Sequence, residues 1–289
     1  MEYRTFGRTG LNVSRIGFGG APVGLPGYLT REDRDSAEFV EGAVSAVREA
    51  VARGINYFDT APTYGDGRAE RIMGMGLEGS RDRVVIATKY WFDPSLGFDV
   101  YTRNLGESLE RLKTDHVDIL QFHGLTFDDE LAGKVLESGV LDWVDEMKAR
   151  GLCRFRGITA EAPSGALEKL ILTGRFDALL IAYNLIYQGA CDYQRKPFGI
   201  IPMARSLGMG VAAMRPTTSG FLQKLCRVAL PKVSSAEITE LAVNFVLSTS
   251  EVDCAVIGMR NASEVAENAA LAENPGKRLD IAELHNRFN

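Results

Sequence analysis

Four residues of this chain have the chemistry to pass a proton to a substrate: Asp59, Tyr64, Lys89 and His123. They lie in three short segments, Phe58-Asp59-Thr60-Ala61-Pro62-Thr63-Tyr64-Gly65, Val85-Ile86-Ala87-Thr88-Lys89 and Ile119-Leu120-Gln121-Phe122-His123. Each is an apolar run ending in polar residues, the pattern of a buried parallel strand whose C-terminal end opens into a site. A phenol with a pKa of about 10 is a poor acid at neutral pH. An ammonium beside it favours the phenolate and lowers that pKa, and a carboxylate keeps the ammonium charged and in place. Tyr64 can then give a proton to a carbonyl oxygen, or take one back in the oxidative direction. His123 could donate a hydrogen bond that orients the carbonyl.

Each residue alone has a plainer reading. Asp59-Thr60 suits a turn, Tyr64 before Gly65 a packed loop aromatic, Lys89 a solvated charge and His123 a structural histidine. The conjunction favours chemistry, because four titratable groups fall at successive strand ends in a chain with three histidines.

Bringing those ends together requires a particular set of elements. Residues 2–6 and 12–14, joined through Gly7-Arg8-Thr9-Gly10, read as a hairpin. Strands are then expected over 15–18, 55–58, 83–88, 117–122, 154–158, 177–182, 210–214 and 253–257. Helices are expected over 36–53, 68–77, 99–113, 140–150, 163–172, 197–207, 235–248 and 261–272. Lys277–Asn289, with Leu279, Ile281, Leu284 and Phe288 on one edge, reads as a short tail helix. Repeated strand–helix units require parallel strands with right-handed crossovers, and eight of them close into a (β/α)8 TIM barrel. An open doubly wound sheet would carry G-x-G-x-x-G after its first strand; Gly17-Phe18-Gly19-Gly20-Ala21-Pro22 does not. The expectation is one barrel domain over residues 1–289 behind an N-terminal β-hairpin. Its site would lie at the C-terminal face, with adjacent strands about 4.8 Å apart.

Composition sets the outer bounds. The 289 residues are 45% hydrophobic and 25% charged, ordinary for a soluble globular chain. A net charge of −5 gives no basic footprint for nucleic acid. No apolar run reaches the length of a membrane span, and Met1–Thr5 lacks a secretory pattern. Cys153, Cys191, Cys226 and Cys254 are widely spaced, which argues for reduced thiols, no metal site and a cytoplasmic setting.

The motifs resemble those of the aldo-keto reductase family. Phe58-Asp59-Thr60-Ala61, Tyr64-Gly65, Ala87-Thr88-Lys89 and Leu120-Gln121-Phe122-His123 match it in order. The likeness starts at Phe6–Ser14, continues through Ser108-Leu109-Glu110-Arg111-Leu112 and Asp118, and reaches Glu267-Asn268. By resemblance, Asp59, Tyr64, Lys89 and His123 are the catalytic residues, and a nicotinamide cofactor lies extended across the barrel mouth. The cofactor residues implied are Gly20, Ala21, Asp59, Thr159, Met214, Arg215, Pro216, Thr217, Gly258, Met259, Arg260, Glu267 and Asn268. The chain departs from the family at Ala160, Leu180 and Met214, where members often carry the Asn, Gln and aromatic that hold nicotinamide; a thioether can still pack on a ring face. Arg260 at a helix N-terminus suits a 2′-phosphate, favouring NADP(H), with NAD(H) the alternative given Glu264 one turn on. Tyr28, Trp91, Tyr64 and His123 are expected to wall the substrate pocket, and Thr217–Ser234 is long enough for a lid.

These readings imply a carbonyl reductase or an alcohol or sugar dehydrogenase acting on a small carbonyl or alcohol substrate, with no nucleic-acid or membrane partner. The sequence leaves the oligomeric state open. Two other classes compete: a nicotinamide-binding regulatory subunit with little turnover, and a barrel isomerase or aldolase with Lys89 as a Schiff-base amine. The second needs an uncharged lysine, which Asp59 opposes.

Overall fold

In the computed structural model, which describes residues 1–28, 32–191 and 199–286, the chain closes eight parallel strands into a barrel. It opens with a hairpin, β1 (Tyr3–Thr5) and β2 (Asn12–Ser14), paired antiparallel from Tyr3 opposite Ser14 to Thr5 opposite Asn12. The first barrel strand is β3 (Ile16–Gly19), followed by the single turn α1 (Ala21–Gly24) and by α2 (Ala37–Ala52). Then come β4 (Tyr57–Asp59), α3 (Arg68–Gly76), β5 (Val85–Tyr90), α4 (Phe98–Leu112), β6 (Val117–Phe122), α5 (Asp129–Glu137) and α6 (Val140–Ala149). The second half holds β7 (Cys153–Ala160), α7 (Gly165–Leu172), β8 (Ala178–Ala182), α8 (Ile200–Ser206) and β9 (Gly210–Met214). It ends with α9 (Phe221–Ala229), α10 (Ser235–Ser248), β10 (Cys254–Gly258), α11 (Ala262–Glu273) and α12 (Ile281–Asn286). The strands run in order round the barrel, β3 to β10, and β10 closes onto β3 with Ala255 opposite Ile16.

Alternate residues of each strand face inward, so Tyr57, Ala87, Ile119, Leu180 and Ala212 fill the barrel interior. The hairpin plugs the N-terminal mouth. Phe6, Leu11 and Val13 pack into that interior cluster, with the Phe6 ring 5.5 Å from Tyr57. Only glycine fits at position 210, since a Cβ there would lie 2.4 Å from the Phe6 ring. With one end stopped, a cleft can open only at the other. The outer helices bury one stripe each against the strands; α2, capped by Ser36 Oγ on the Phe39 amide, buries Ala43, Ala46, Val47 and Ala50.

Among the described residues, three α-helical segments were not expected from the sequence. α1 is one turn within the glycine-rich stretch. α5 starts at an Asp128 cap on the Leu131 amide, but its apolar stripe is only Ala132 and Val135. α9 lies inside the segment read as a loop, although Phe221, Leu222, Leu225 and Val228 recur at helical spacing; it turns Phe221, Leu225 and Val228 outward. The expected helix over 197–207 begins outside the described residues, as Phe288 of the tail does. Among the described residues no helix is long and apolar enough to cross a membrane.

Candidate active site

Three strand ends deliver the proton-transfer residues. Asp59 is the last residue of β4, Lys89 lies one before the end of β5, and His123 directly follows β6. Asp59 and Lys89 point inward, in phase with Tyr57 and Ala87. The Lys89 ammonium has three hydrogens, and each meets an oxygen: Asp59 Oδ2 at 2.8 Å, the Thr60 carbonyl at 2.8 Å and Tyr64 Oη at 3.1 Å. Lys89 is 3% exposed and Asp59 4%, so this is a buried ion pair aimed at a phenol.

A residue to which the sequence reading gave no role completes it. Gln121 Nε2 donates to Asp59 Oδ1 at 2.8 Å, so both carboxylate oxygens are held. Its position two residues before His123, on the same face of β6, was the available signal. Gly157 on β7 makes the room, because a Cβ there would sit 2.7 Å from the Gln121 chain.

The electrostatics divide the site. Burial works most strongly against the Lys89 charge, but Asp59 and Tyr64 outweigh it and hold its pKa above the usual lysine value. Burial also raises the Tyr64 pKa, and the attraction of Lys89 recovers only part of that rise. The sequence-based expectation of a lowered phenol pKa is therefore not met, because desolvation wins over the ammonium. His123 is pushed down to about 3 by burial and then by Lys89, so it is a neutral imidazole at working pH. Its Nδ1 lies 3.4 Å from Thr63 Oγ1, and its ring stands edge-on to Tyr64 at 5.9 Å and to Trp91 at 5.7 Å. If Nδ1 accepts from Thr63, the other ring nitrogen carries the hydrogen and can donate.

Tyr64 and His123 line a cleft of about 240 Å³ at the C-terminal mouth. Of the other expected residues, Ala21, Tyr28, Asp59, Met214, Arg215, Pro216, Thr217 and Gly258 line it too. Gly20 stands behind it, its amide on the Asp59 carbonyl at 2.8 Å. Several do not reach it. The Thr159 hydroxyl is taken up by the Gly124 backbone, donating to its carbonyl and accepting from its amide, and Ala160 and Leu180 are buried. Met259 is fully buried in the core. Glu267 is exposed and accepts from Ser263, while Asn268 donates to the Glu264 carbonyl. Trp91 lines a second cavity, with Tyr90, Leu96 and Tyr101. Arg260 borders a third, with Glu32, Asp33 and Ser36. Its guanidinium is held by Glu264, which also accepts from the Arg260 amide, and lies 3.5 Å from Glu32. α11 then starts from its Asn261 cap, whose side chain accepts from the Glu264 amide.

Sequence reasoning also missed Glu161, the first charged residue beyond β7. It accepts from Arg215 at 2.7 Å across the cleft wall. Arg215 has a left-handed backbone (φ +60°), and Thr218 and Ser219 share that conformation. Such a conformation costs a non-glycine residue roughly 1–2 kcal/mol. It is held because the buried Asn184 amide and the Thr218 amide both donate to the Arg215 carbonyl.

Known proteins match this arrangement. The sequence profile of the aldo/keto reductase family matches residues 15–232. The chain belongs to the aldo/keto reductase family. It is 31% identical to the L-galactose dehydrogenase of Arabidopsis thaliana, over 93% of this chain and 88% of that protein. A solved aldo-keto reductase from Bacillus halodurans, in its holo form, superposes with a TM-score of 0.76 at 24% identity, covering 100% of this chain and 96% of that one. Another from Klebsiella pneumoniae, in complex with NADP and acetate, gives 0.73 at 21% identity, over 99% and 94%. At those identities the two structures speak for the aldo/keto reductase fold.

Proposed function

We propose that this chain is an NAD(P)(H)-dependent oxidoreductase that interconverts a small carbonyl compound (aldehyde, ketone or aldose) and its alcohol, with Tyr64 as general acid and base. The observation that carries the reading is the contact of one buried ammonium with Asp59 at 2.8 Å and Tyr64 at 3.1 Å, at the foot of a cleft that His123 also lines. Family membership supports it, as does the activity named for the Arabidopsis relative.

The cleft suits a nicotinamide cofactor. Gly19 and Gly258 keep its walls low; a Cβ at 258 would meet Pro22 at 2.3 Å. Met214, partly buried at the barrel mouth, offers a thioether to a ring face. Ala21, Pro216 and Thr217 would flank the chain of the cofactor. NADP(H) is favoured, supported by the NADP bound to the Klebsiella neighbour and by Arg260 at the start of α11; NAD(H) is the alternative. When bound, the cofactor supplies or accepts the hydride.

The protein's own groups handle the proton. In reduction Tyr64 Oη gives its hydrogen to the carbonyl oxygen as that oxygen gains charge, and Lys89 stabilises the phenolate left behind. Asp59, fixed by Gln121, keeps Lys89 protonated and pointed at Tyr64. Neutral His123 donates to the carbonyl oxygen and sets its angle. In oxidation the phenolate takes the hydroxyl proton back. Substrate-dependent oxidation of NADPH and NADH, measured with aldehydes, ketones and aldoses and in reverse with the alcohols, tests this. Binding of either cofactor with no turnover on any of them would sink the reading.

A further inference from the structure

The cleft has one charged feature that proton transfer leaves unused. Arg215 and Glu161 stand in the same cleft as Tyr64 and His123, joined at 2.7 Å, with Ser219 Oγ 3.4 Å from the guanidinium. Their side chains remain 39% and 28% exposed. An ion pair that open adds little stability, so folding alone does not account for it. The backbone nevertheless adopts a left-handed conformation at Arg215, with the buried Asn184 committed to its carbonyl. Strain held in place at a cleft points to use of the side chain it aims.

We propose that the Arg215–Glu161 pair recognises substrate hydroxyl groups, and that the substrate is a small polyhydroxylated carbonyl compound. This rests on the oxidoreductase reading above and deepens it. The guanidinium has five N–H donors and the carboxylate four lone-pair directions, and their mutual contact uses a fraction of them. The pair is neutral as a unit. An anionic ligand would have to pull Arg215 off Glu161, and a cationic one would have to do the reverse. A hydroxyl both donates and accepts, so vicinal hydroxyls can bridge the two without separating them. Ser219 and the Tyr28 hydroxyl, 2.8 Å from each other, extend the polar rim. Leu125, whose carbonyl accepts from the Glu161 amide at 2.7 Å, lines the cleft beside the pair and offers an apolar surface to a C–H face. The pair would act on substrate affinity, leaving the proton path to Tyr64.

Glyceraldehyde and propanal test this, because they share a three-carbon aldehyde and differ in hydroxyl groups. kcat and KM for each, and the dissociation constants of NADPH and NADH, are measured in the parent, Glu161→Ala, Glu161→Gln and Arg215→Met. In the parent kcat/KM favours glyceraldehyde, mainly through KM. In Glu161→Ala and Arg215→Met that preference falls about ten- to a hundred-fold, the scale of losing one hydrogen bond to a charged group. Glu161→Gln keeps an acceptor and restores part of it. Cofactor dissociation constants within a few-fold of the parent show that each variant is folded, that the loss belongs to substrate, and that the Arg215 side chain is not the cofactor contact the family resemblance implies. A preference unchanged in both truncations overturns the proposal. So does a loss that appears in cofactor affinity and falls equally on both aldehydes, which would assign the pair to the cofactor. A parent that turns over both aldehydes without preference sinks this inference alone; one that turns over neither these nor other carbonyls sinks the oxidoreductase reading with it.

Discussion

Replacing Lys89 by methionine keeps most of the side chain's length and apolar volume and deletes its charge. Three contacts go with the ammonium, to Asp59, Thr60 and Tyr64. The structural consequence falls on Asp59, which is 4% exposed and keeps the Gln121 amide. Stranding one member of a buried ion pair costs about 3–5 kcal/mol, read as a lower urea midpoint at unchanged m-value. The catalytic consequence falls on Tyr64. At the 3.1 Å of this contact, and with an effective dielectric of about 20, ammonium and phenolate attract by roughly 5 kcal/mol. That is a ceiling, and if half of it is felt in the transition state the rate falls about a hundred-fold. The phenolate also loses its hydrogen-bonded cation, so the limb of the pH–rate profile set by Tyr64 moves to higher pH. Steady-state kcat/KM across pH, on a variant whose folding and cofactor affinity have been checked, measures both effects. A folded Lys89→Met enzyme with the parent's rate and pH profile would refute the electrostatic role of Lys89.

Other expectations follow from the same contacts. Tyr64→Phe removes one hydroxyl, so cofactor affinity survives while turnover drops by about a hundred-fold or more, the scale of general acid catalysis; near-parental turnover would exclude Tyr64 as the acid. His123, held down to about 3 by burial and Lys89, gives no NMR titration near the ordinary histidine value of about 6.5, and a midpoint there contradicts the burial argument. Because the unfolded chain takes up that proton first, the contribution of His123 to stability is present above about 6.5 and is lost as pH falls toward about 3; His123→Gln flattens unfolding free energy across that window. Glu264→Gln loosens the hold on Arg260, raising affinity for NADPH over NADH by about ten- to a hundred-fold if the guanidinium then meets a 2′-phosphate. Equal cofactor ratios in Glu264→Gln, Arg260→Ala and the parent would remove Arg260 from a phosphate site.

The barrel was legible because it repeats. Each inner strand is a run of small and branched apolar residues, and each main helix shows a stripe at spacings of three and four, as α2 does from Ala43 to Ala50. Eight repetitions leave few ways to close. The hairpin was legible from its glycine turn, and its work as a plug followed once Phe6 was seen against Tyr57 and Gly210. α9 was within reach of the same argument, since Phe221, Leu222, Leu225, Val228 and Ala229 recur at helical spacing; what the pattern could not show is that Phe221, Leu225 and Val228 face out while Leu222 alone of the helix is buried.

The site divides along the same physical line. Asp59, Lys89 and His123 sit at or beside strand ends, where the backbone dictates side-chain direction, so sequence position alone brings them together. Gln121 obeys the same rule and was within reach of the period-two argument. On the cofactor side, direction depends on loops and on competition between partners. Arg260 has the right type beside a helix N-terminus, and Glu264 one turn on was readable as its rival, but Glu32, distant in sequence, also draws on its charge and no local pattern showed that. Thr159 likewise has a hydroxyl suited to a ligand, but the Gly124 backbone takes both its donor and its acceptor. Arg215 reverses the case. Family resemblance alone assigned Arg215 to the cofactor, whereas a left-handed backbone pinned by a buried asparagine fixes where its guanidinium goes. On the proposed reading, polar specificity in this cleft is set by charges the protein leaves half-satisfied, and Arg215 with Glu161 is such a pair, lining the same cleft as Tyr64 and His123.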